Sequence, residues 1–259
     1  MIENLPKELS QLIANYDYQP IILGKSGTKV YRLTQNSVAS LYLKISSETL
    51  TRSLFAEKER ITWLQDKLPV PQIYYYGQNQ HYTFLLLSEI PGINASDKIY
   101  ESDRHLLVKL LAQGLKLIHT IPIVECPFDC TLDREIALAE YNTKHQLVDE
   151  SDFDQTRKGR TAKDLLTELI ANRPISEDLV FTHGDYCLPN IIFHNETISG
   201  FIDLGAAGIG DRYRDLALAS RSLAANFGRN LVPLLFQAYG LQKINREKLA
   251  YYNLLDEFF

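Results

Sequence analysis

The chain has 259 residues, 45% of them hydrophobic and 23% charged, a composition that sustains one large domain or two lobes and argues against disorder. Its formal net charge of −5 argues against a nucleic-acid partner, which would want a basic face, and its three cysteines are too few for a disulfide framework and fit a reducing cytosol. No run approaches the ~18 apolar residues of a spanning helix, so no membrane partner is expected. In chain order, MIENLPKELSQLI carries early acidic residues and no long apolar run, unlike a secretory leader. Residues 1–16 read as a short helix with Leu5, Leu9, Leu12 and Ile13 at helical spacing. Residues 20–45 read as strands joined by turns, through GKSGTKVYRL and SLYLKIS. Residues 51–67 read as a helix that LPVP ends. YTFLLLSEI, 82–90, reads as a buried strand broken by Pro91-Gly92.

Beyond that break the pattern turns helical. Residues 104–119 carry Leu106, Leu107, Leu110, Leu111 and Ile118 on one face, and residues 161–172 carry Leu165, Leu166, Leu169 and Ile170 likewise. Three short apolar runs follow, LVFTHGD, NIIFHN and ISGFIDLG, and the last roughly 45 residues read as helices. A β-rich first third before a helix-rich remainder predicts an α+β chain of two lobes, 1–90 and 91–259, with a hinge near SEIPG.

The chemistry concentrates in THGDYCLPNIIF and GFIDLG. Asp185 and Asn190 stand on a turn between apolar runs, and Asp203 follows after a strand, a turn and a second strand. A hairpin of that kind would bring Asn190 and Asp203 to one end as oxygen ligands for magnesium, with Asp185 accepting a hydrogen bond from an incoming hydroxyl. That is the logic of phosphoryl transfer, where positioning and charge neutralisation supply most of the catalysis. His183 would hold the turn, because Asp185 already fills the role of base. The bland alternative is a hairpin with satisfied turn carboxylates, which any one of these residues alone would suit. In LYLKIS, Tyr42 and Lys44 point opposite to Leu41, Leu43 and Ile45, so Lys44 can line a cleft and reach phosphate oxygens. Glu57 is its natural ion-pair partner and Glu59 the rival. Helical geometry sets two positions about 200° apart, so only one of them can face the lysine. Gly24 and Gly27 in GKSGTKV let backbone approach phosphates, and Ser26 adds a hydroxyl. No Walker G-x4-G-K-[ST] pattern and no dinucleotide G-x-G-x-x-G is present. Cys126 and Cys130 lack any zinc-type partner spacing and read as packing.

HGDYCLPN, GFIDLGAAGIGDRYRDLA and LLDEFF resemble the aminoglycoside 3′-phosphotransferases, and the likeness extends to the LYLK strand, WLQDKLPVP, LLLSEIPG and ECPFD. The resemblance implies a bilobal protein-kinase-like fold and transfer of the γ-phosphate of ATP, or of GTP, to a 3′-hydroxyl with Mg²⁺. It implies Asp185 as catalytic residue, Asn190 and Asp203 as metal ligands, and Lys44 with Glu57 as the phosphate-anchoring pair. Ser26 matches the nucleotide-loop serine, Tyr42 the adenine-stacking residue, and Ser88 and Ile90 the hinge, with the Ile90 backbone on the adenine edge. Asp152, Asp154, Gln155, Arg221, Asp256, Glu257 and Phe259 match drug-contacting positions.

The physical reason is plain: aminoglycosides carry several ammonium groups, and DESDFD (149–154) and the Asp256, Glu257 and Phe259 end of the chain are acidic clusters. Three departures stand out: Lys29 where a third loop glycine would sit, Ala206 where relatives often have arginine, and Gln155 in place of an acid. A cytoplasmic monomer or weak dimer acting on a small-molecule aminoglycoside is expected. The rival readings are a kinase of choline, homoserine or a macrolide, and a nucleotide-binding protein without catalysis. Choline would call for an aromatic cage, and a macrolide has fewer charges to match. A protein kinase would need an A-P-E segment, which this chain lacks.

Overall fold

A computed structural model describes residues 5–21, 27–36, 38–47 and 53–259. The chain divides into two compact units, Met1–Pro91 with Ser199–Gly205, and Gly92–Ile198 with Ala206–Phe259. Sequence reading drew its boundary after residue 90; the structure adds Ser199–Gly205 to the first unit. The reason is local bonding: Phe201 N donates to Pro69 O at 3.0 Å and Ser199 Oγ donates to Pro91 O.

The first unit contains α1 (Lys7–Leu12), β1 (Asp17–Ile21), β2 (Lys29–Gln35), β3 (Val38–Ser47), α2 (Leu54–Leu64), β4 (Ile73–Gln78) and β5 (Tyr82–Ser88). Its five strands form one antiparallel sheet in the order β1-β2-β3-β5-β4. Alternation in β3 sends Leu41, Leu43 and Ile45 into a core shared with Leu33, Phe84, Leu86, Leu9 and Ile13. Each such side chain contributes about 1.5–3 kcal/mol on burial. Helix α1 is shorter than its pattern suggested; Leu9 and Ile13 are buried in the core and Leu5 packs against it, whereas Leu12 is 48% exposed. Ser53 caps α2, accepting from Ala56 N at 3.2 Å, and Leu54, Glu57, Ile61 and Leu64 form its buried stripe. The expected start of this helix at residues 51 and 52 lies outside the described residues, as do Gly24 and Ser26.

The second unit begins with β6 (Ile93–Asn94), α3 (Arg104–His119), α4 (Leu132–Lys144), α5 (Ala162–Ala171), β7 (Leu179–Thr182) and β8 (Ile191–His194). It continues through β9 (Thr197–Phe201), whose first residues belong here, then β10 (Gly208–Asp211), α6 (Arg212–Phe227), α7 (Val232–Tyr239) and α8 (Arg246–Leu255). Helix α3 matches its predicted span, and Leu107, Leu110, Leu111 and Ile118 are buried as expected. Helix α5 starts on a Thr161–Asp164 capping box; Leu165 and Leu169 are buried, but Ile170 is 49% exposed, so its apolar face is narrower than predicted. Helix α4 escaped the sequence reading because its buried stripe mixes Leu132 and Ala139 with Glu135 and Asn142. Strand β10 escaped it too, since GIGD has no strand pattern; pairing with β7 makes it one. The β8–β9 turn uses Asn195 (φ 47°) and Glu196 (φ 57°), the two left-handed residues that a type I′ hairpin requires. None of the three cysteines forms a disulfide, and Cys130 is buried with its thiol on Ala206 O. Among the described residues no helix is long and apolar enough to cross a membrane.

Candidate active site

In the first unit, the sheet face opposite the core carries the polar set. Lys44 stands on β3 between Val30 and Leu85, and its ammonium reaches Glu57 Oε1 at 2.6 Å and Asp203 Oδ1 at 2.8 Å. Lys44 and Glu57 are nearly buried, at 13% and 5% exposure, whereas Asp203 is 56% exposed. Burial works against the ammonium, but the Asp203 and Glu57 carboxylates outweigh it and hold Lys44 above the ordinary lysine pKa. Glu59 points elsewhere, pairing with Lys58 at 2.6 Å on the surface. Asp203 sits in the left-handed region at φ 64°, a conformation worth about 1–3 kcal/mol of strain that marks functional positions. Two residues before Lys44 on the same face, Tyr42 donates its hydroxyl to Glu89 at 3.4 Å, and Arg32 donates to the same oxygen at 2.9 and 2.8 Å. Ser88 Oγ accepts from Gln72 N at 2.9 Å, and Ile90 lies just past the end of β5. Ser26 is outside the described residues.

In the second unit, the turn carrying Asp185 is held from below. Asp215 of α6 is fully buried and accepts from His183 N at 2.7 Å and from Gly184 N at 2.9 Å, while His119 Nε2 lies 3.2 Å away. Burial alone would raise the Asp215 carboxyl; hydrogen bonding and the neighbouring His119 and His183 rings overcome this and hold it below the usual aspartate range. Arg214 donates to Gly184 O at 3.0 Å and pairs with buried Glu135 at 3.1 Å. Ser222 Oγ accepts from Leu188 N at 3.0 Å. Asp215 and Ser222 are seven residues apart, about two helical turns, so one side of α6, with Arg214 beside it, holds the turn at His183, Gly184 and Leu188. Gly184 has φ 81°, and a Cβ there would fall 2.0 Å from Ala206 O, so only glycine serves. Within the turn, Asn190 Nδ2 donates to Asp185 O at 3.0 Å and to Asp185 Oδ2 at 2.9 Å. Buried His183 accepts from Asp185 N at 3.3 Å through Nδ1, and Tyr186 anchors the turn on α3 by donating to Leu111 O at 2.9 Å.

The two acidic clusters meet, although a hundred residues separate them. Asp154 N donates to Glu257 Oε2 at 3.0 Å, and Arg157 bridges the two side chains, bonding Asp154 directly and reaching Glu257 Oε1 at 3.1 Å. Arg221 pairs with Asp256. Asp152 and Gln155 are exposed on the loop, and Phe259 is 38% exposed. Burial raises the Cys187 thiol, the Asp185 and Asp256 carboxylates push the same way, and Arg221 opposes them. Cys187 therefore lies where the Asp185 turn and the acidic joint both act.

Hydrogen bonding orients Asn190 as a donor through Nδ2, which leaves its carbonyl oxygen as the coordinating end. An amide oxygen and, in the first unit, the exposed Asp203 carboxylate are each of the donor type that a hard divalent ion takes. Sequence reasoning missed Asp215, Arg214, His119 and Arg157. The available signal for the first two was a pair of charges, RD, entering a helix buried along most of its length. Glu57 carried a similar signal, as the one acid in the stripe Leu54, Ile61, Leu64.

Comparison with known proteins agrees with this chemistry. The phosphotransferase enzyme family, APH, matches residues 17–252. An aminoglycoside 3′-phosphotransferase of Niallia circulans is 38% identical over 257 residues, covering 99% of this chain and 98% of that one. The crystal structure of an aminoglycoside-3′-phosphotransferase of type VIII superposes with a TM-score of 0.88 at 32% identity, covering 98% of this chain and 97% of that one. An aminoglycoside phosphotransferase of Streptomyces rimosus in complex with ADP and streptomycin shares the fold at a TM-score of 0.82, with 24% identity and 97% of each chain covered.

Proposed function

The chain belongs to the phosphotransferase enzyme family, with aminoglycoside 3′-phosphotransferases as its relatives, and we propose that it transfers the γ-phosphoryl group of ATP to the 3′-hydroxyl of aminoglycoside antibiotics in the cytoplasm, conferring resistance. One observation carries the acceptor reading: Asp185, held by Asn190 and by the Asp215 anchor, shares a unit with the joined acidic loop and C-terminal segment. A carboxylate base beside a polyanionic surface suits an acceptor that is both a polyol and a polycation. Asp185 orients the hydroxyl and takes its proton as the bond forms. Lys44, fixed by Glu57, holds phosphate oxygens, and its raised pKa keeps it charged throughout the working range. Tyr42, Ser26, Ser88 and Ile90 are the proposed contacts to the nucleotide. Magnesium held by Asn190 and Asp203 would neutralise charge on the phosphates. Asp152, Asp154, Gln155, Arg221, Asp256, Glu257 and Phe259 are the proposed acceptor contacts. The nucleotide reading draws on the ADP complex of the Streptomyces rimosus relative.

The test is expression in a sensitive bacterium challenged with kanamycin and with tobramycin, which lacks the 3′-hydroxyl. Protection against kanamycin alone is expected; protection against both would exclude 3′ transfer as the sole activity. A coupled assay with kanamycin, choline and erythromycin, run with ATP and with GTP, separates the acceptor classes and the nucleotide preference.

A further inference from the structure

The joint between loop and C-terminal segment contains a cation of its own. Arg157 is 12% exposed; one of its terminal nitrogens reaches both Asp154 and Glu257, the latter at 3.1 Å. Its own backbone N–H donates to Asp154 Oδ1 at 3.1 Å, and Thr156 adds bonds to that oxygen at 2.8 and 2.6 Å. Glu257 is only 6% exposed, so the guanidinium meets most of its charge before any acceptor ammonium arrives. Asp154, at 32%, and Asp256, at 26%, remain reachable. The second guanidinium, Arg221, pairs with Asp256 and lies 4.0 Å from Glu257. Four carboxylates, at Asp152, Asp154, Asp256 and Glu257, are thus set against two resident arginines.

We propose that Arg157 is a specificity-determining residue for the cationic acceptor: its guanidinium occupies the place between the two acidic segments that an acceptor ammonium would otherwise take, and so limits how strongly the surface rewards each added positive charge. The inference rests on the aminoglycoside reading of the same surface. It also accounts for a surface dense in acids yet substantially self-neutralised. The desolvation already borne by the buried Glu257 carboxyl, which burial raises above its ordinary pKa, is met by Arg157 rather than by the substrate.

The experiment measures acceptor KM for R157Q and R157K, with neamine and neomycin as acceptors of few and many ammonium groups. R157Q should lower the KM about threefold per ammonium facing the joint at low salt, the effect of one unit charge ~8 Å away at an effective dielectric of ~60. The gain should be larger for neomycin than for neamine, and should fade in ~0.5 M salt as screening shortens. R157K should keep the wild-type KM and salt dependence. An R157Q acceptor KM that rises, stays unchanged or falls independently of salt overturns the proposal and leaves Arg157 a mechanical strap. If R157Q does not fold, R157K decides: a wild-type salt slope supports the proposal, and a raised KM overturns it. Absence of wild-type turnover with any aminoglycoside refutes the acceptor reading and this inference together, whereas normal wild-type turnover with salt-independent variants refutes this inference alone.

Discussion

Replacing Asp215 with asparagine tests whether the turn that carries Asp185 is held from α6. The carboxylate receives His183 N at 2.7 Å and Gly184 N at 2.9 Å on separate oxygens. Asparagine keeps one acceptor and turns a donor toward the other N–H. One charge-assisted bond, worth about 1.5–3 kcal/mol, is lost, and one buried N–H is left unsatisfied at about 1–3 kcal/mol. The expected destabilisation is therefore about 3–5 kcal/mol, which in a chain of this size lowers Tm by about 10 °C. Because His183 and Gly184 immediately precede Asp185, a shift of ~1 Å in that turn should also lower kcat on the order of 10²-fold. The pH dependence follows from sign. Asp215 is held below the ordinary aspartate range, so its contribution is complete above about pH 4 and disappears as pH falls through its lowered folded-state value. The stability gap between wild type and D215N should accordingly narrow only below about pH 4. Thermal melts across pH and steady-state kinetics are the assays. A D215N protein melting within about 2 °C of wild type, with kcat within about twofold, refutes the anchoring argument.

D185A should lower kcat by at least ~10² while acceptor binding, measured by calorimetry, stays close to wild type; near-normal turnover removes Asp185 from its role. E57Q leaves the nearly buried Lys44 with Asp203 alone, and should destabilise by about 3 kcal/mol and raise the KM for ATP. The matched control is E59Q, whose target is an exposed partner of Lys58, and it should stay within about 0.5 kcal/mol in chemical denaturation. Y186F removes a fully buried donor to Leu111 O and should cost about 1–2 kcal/mol in the same measurement; no change would mean the hydroxyl does not secure the turn to α3.

Local pattern carried much of the architecture. Two-residue alternation in LYLKIS determined which β3 side chains enter the core, and the 3.6-residue period determined the span of α3. Helical geometry also reduced the partner of Lys44 to Glu57 or Glu59, because the two positions cannot face one point. The turn and hairpin of the candidate site were legible for the same reason: Asp185, Asn190 and Asp203 lie within a short stretch, and their spacing reports that local geometry. What stayed illegible depends on contacts between distant segments. Helix α4 buries Glu135 and Asn142 because Arg214 and Phe258 O await them, and strand β10 exists because β7 lies beside it. Nothing near residue 157 announces that Arg157 will meet Glu257, one hundred residues on, and neutralise a charge that composition alone would have offered to a ligand. Sequence periodicity records which way a side chain faces; only tertiary structure decides which charge it finds there, because a pairing between remote segments leaves no period in either of them.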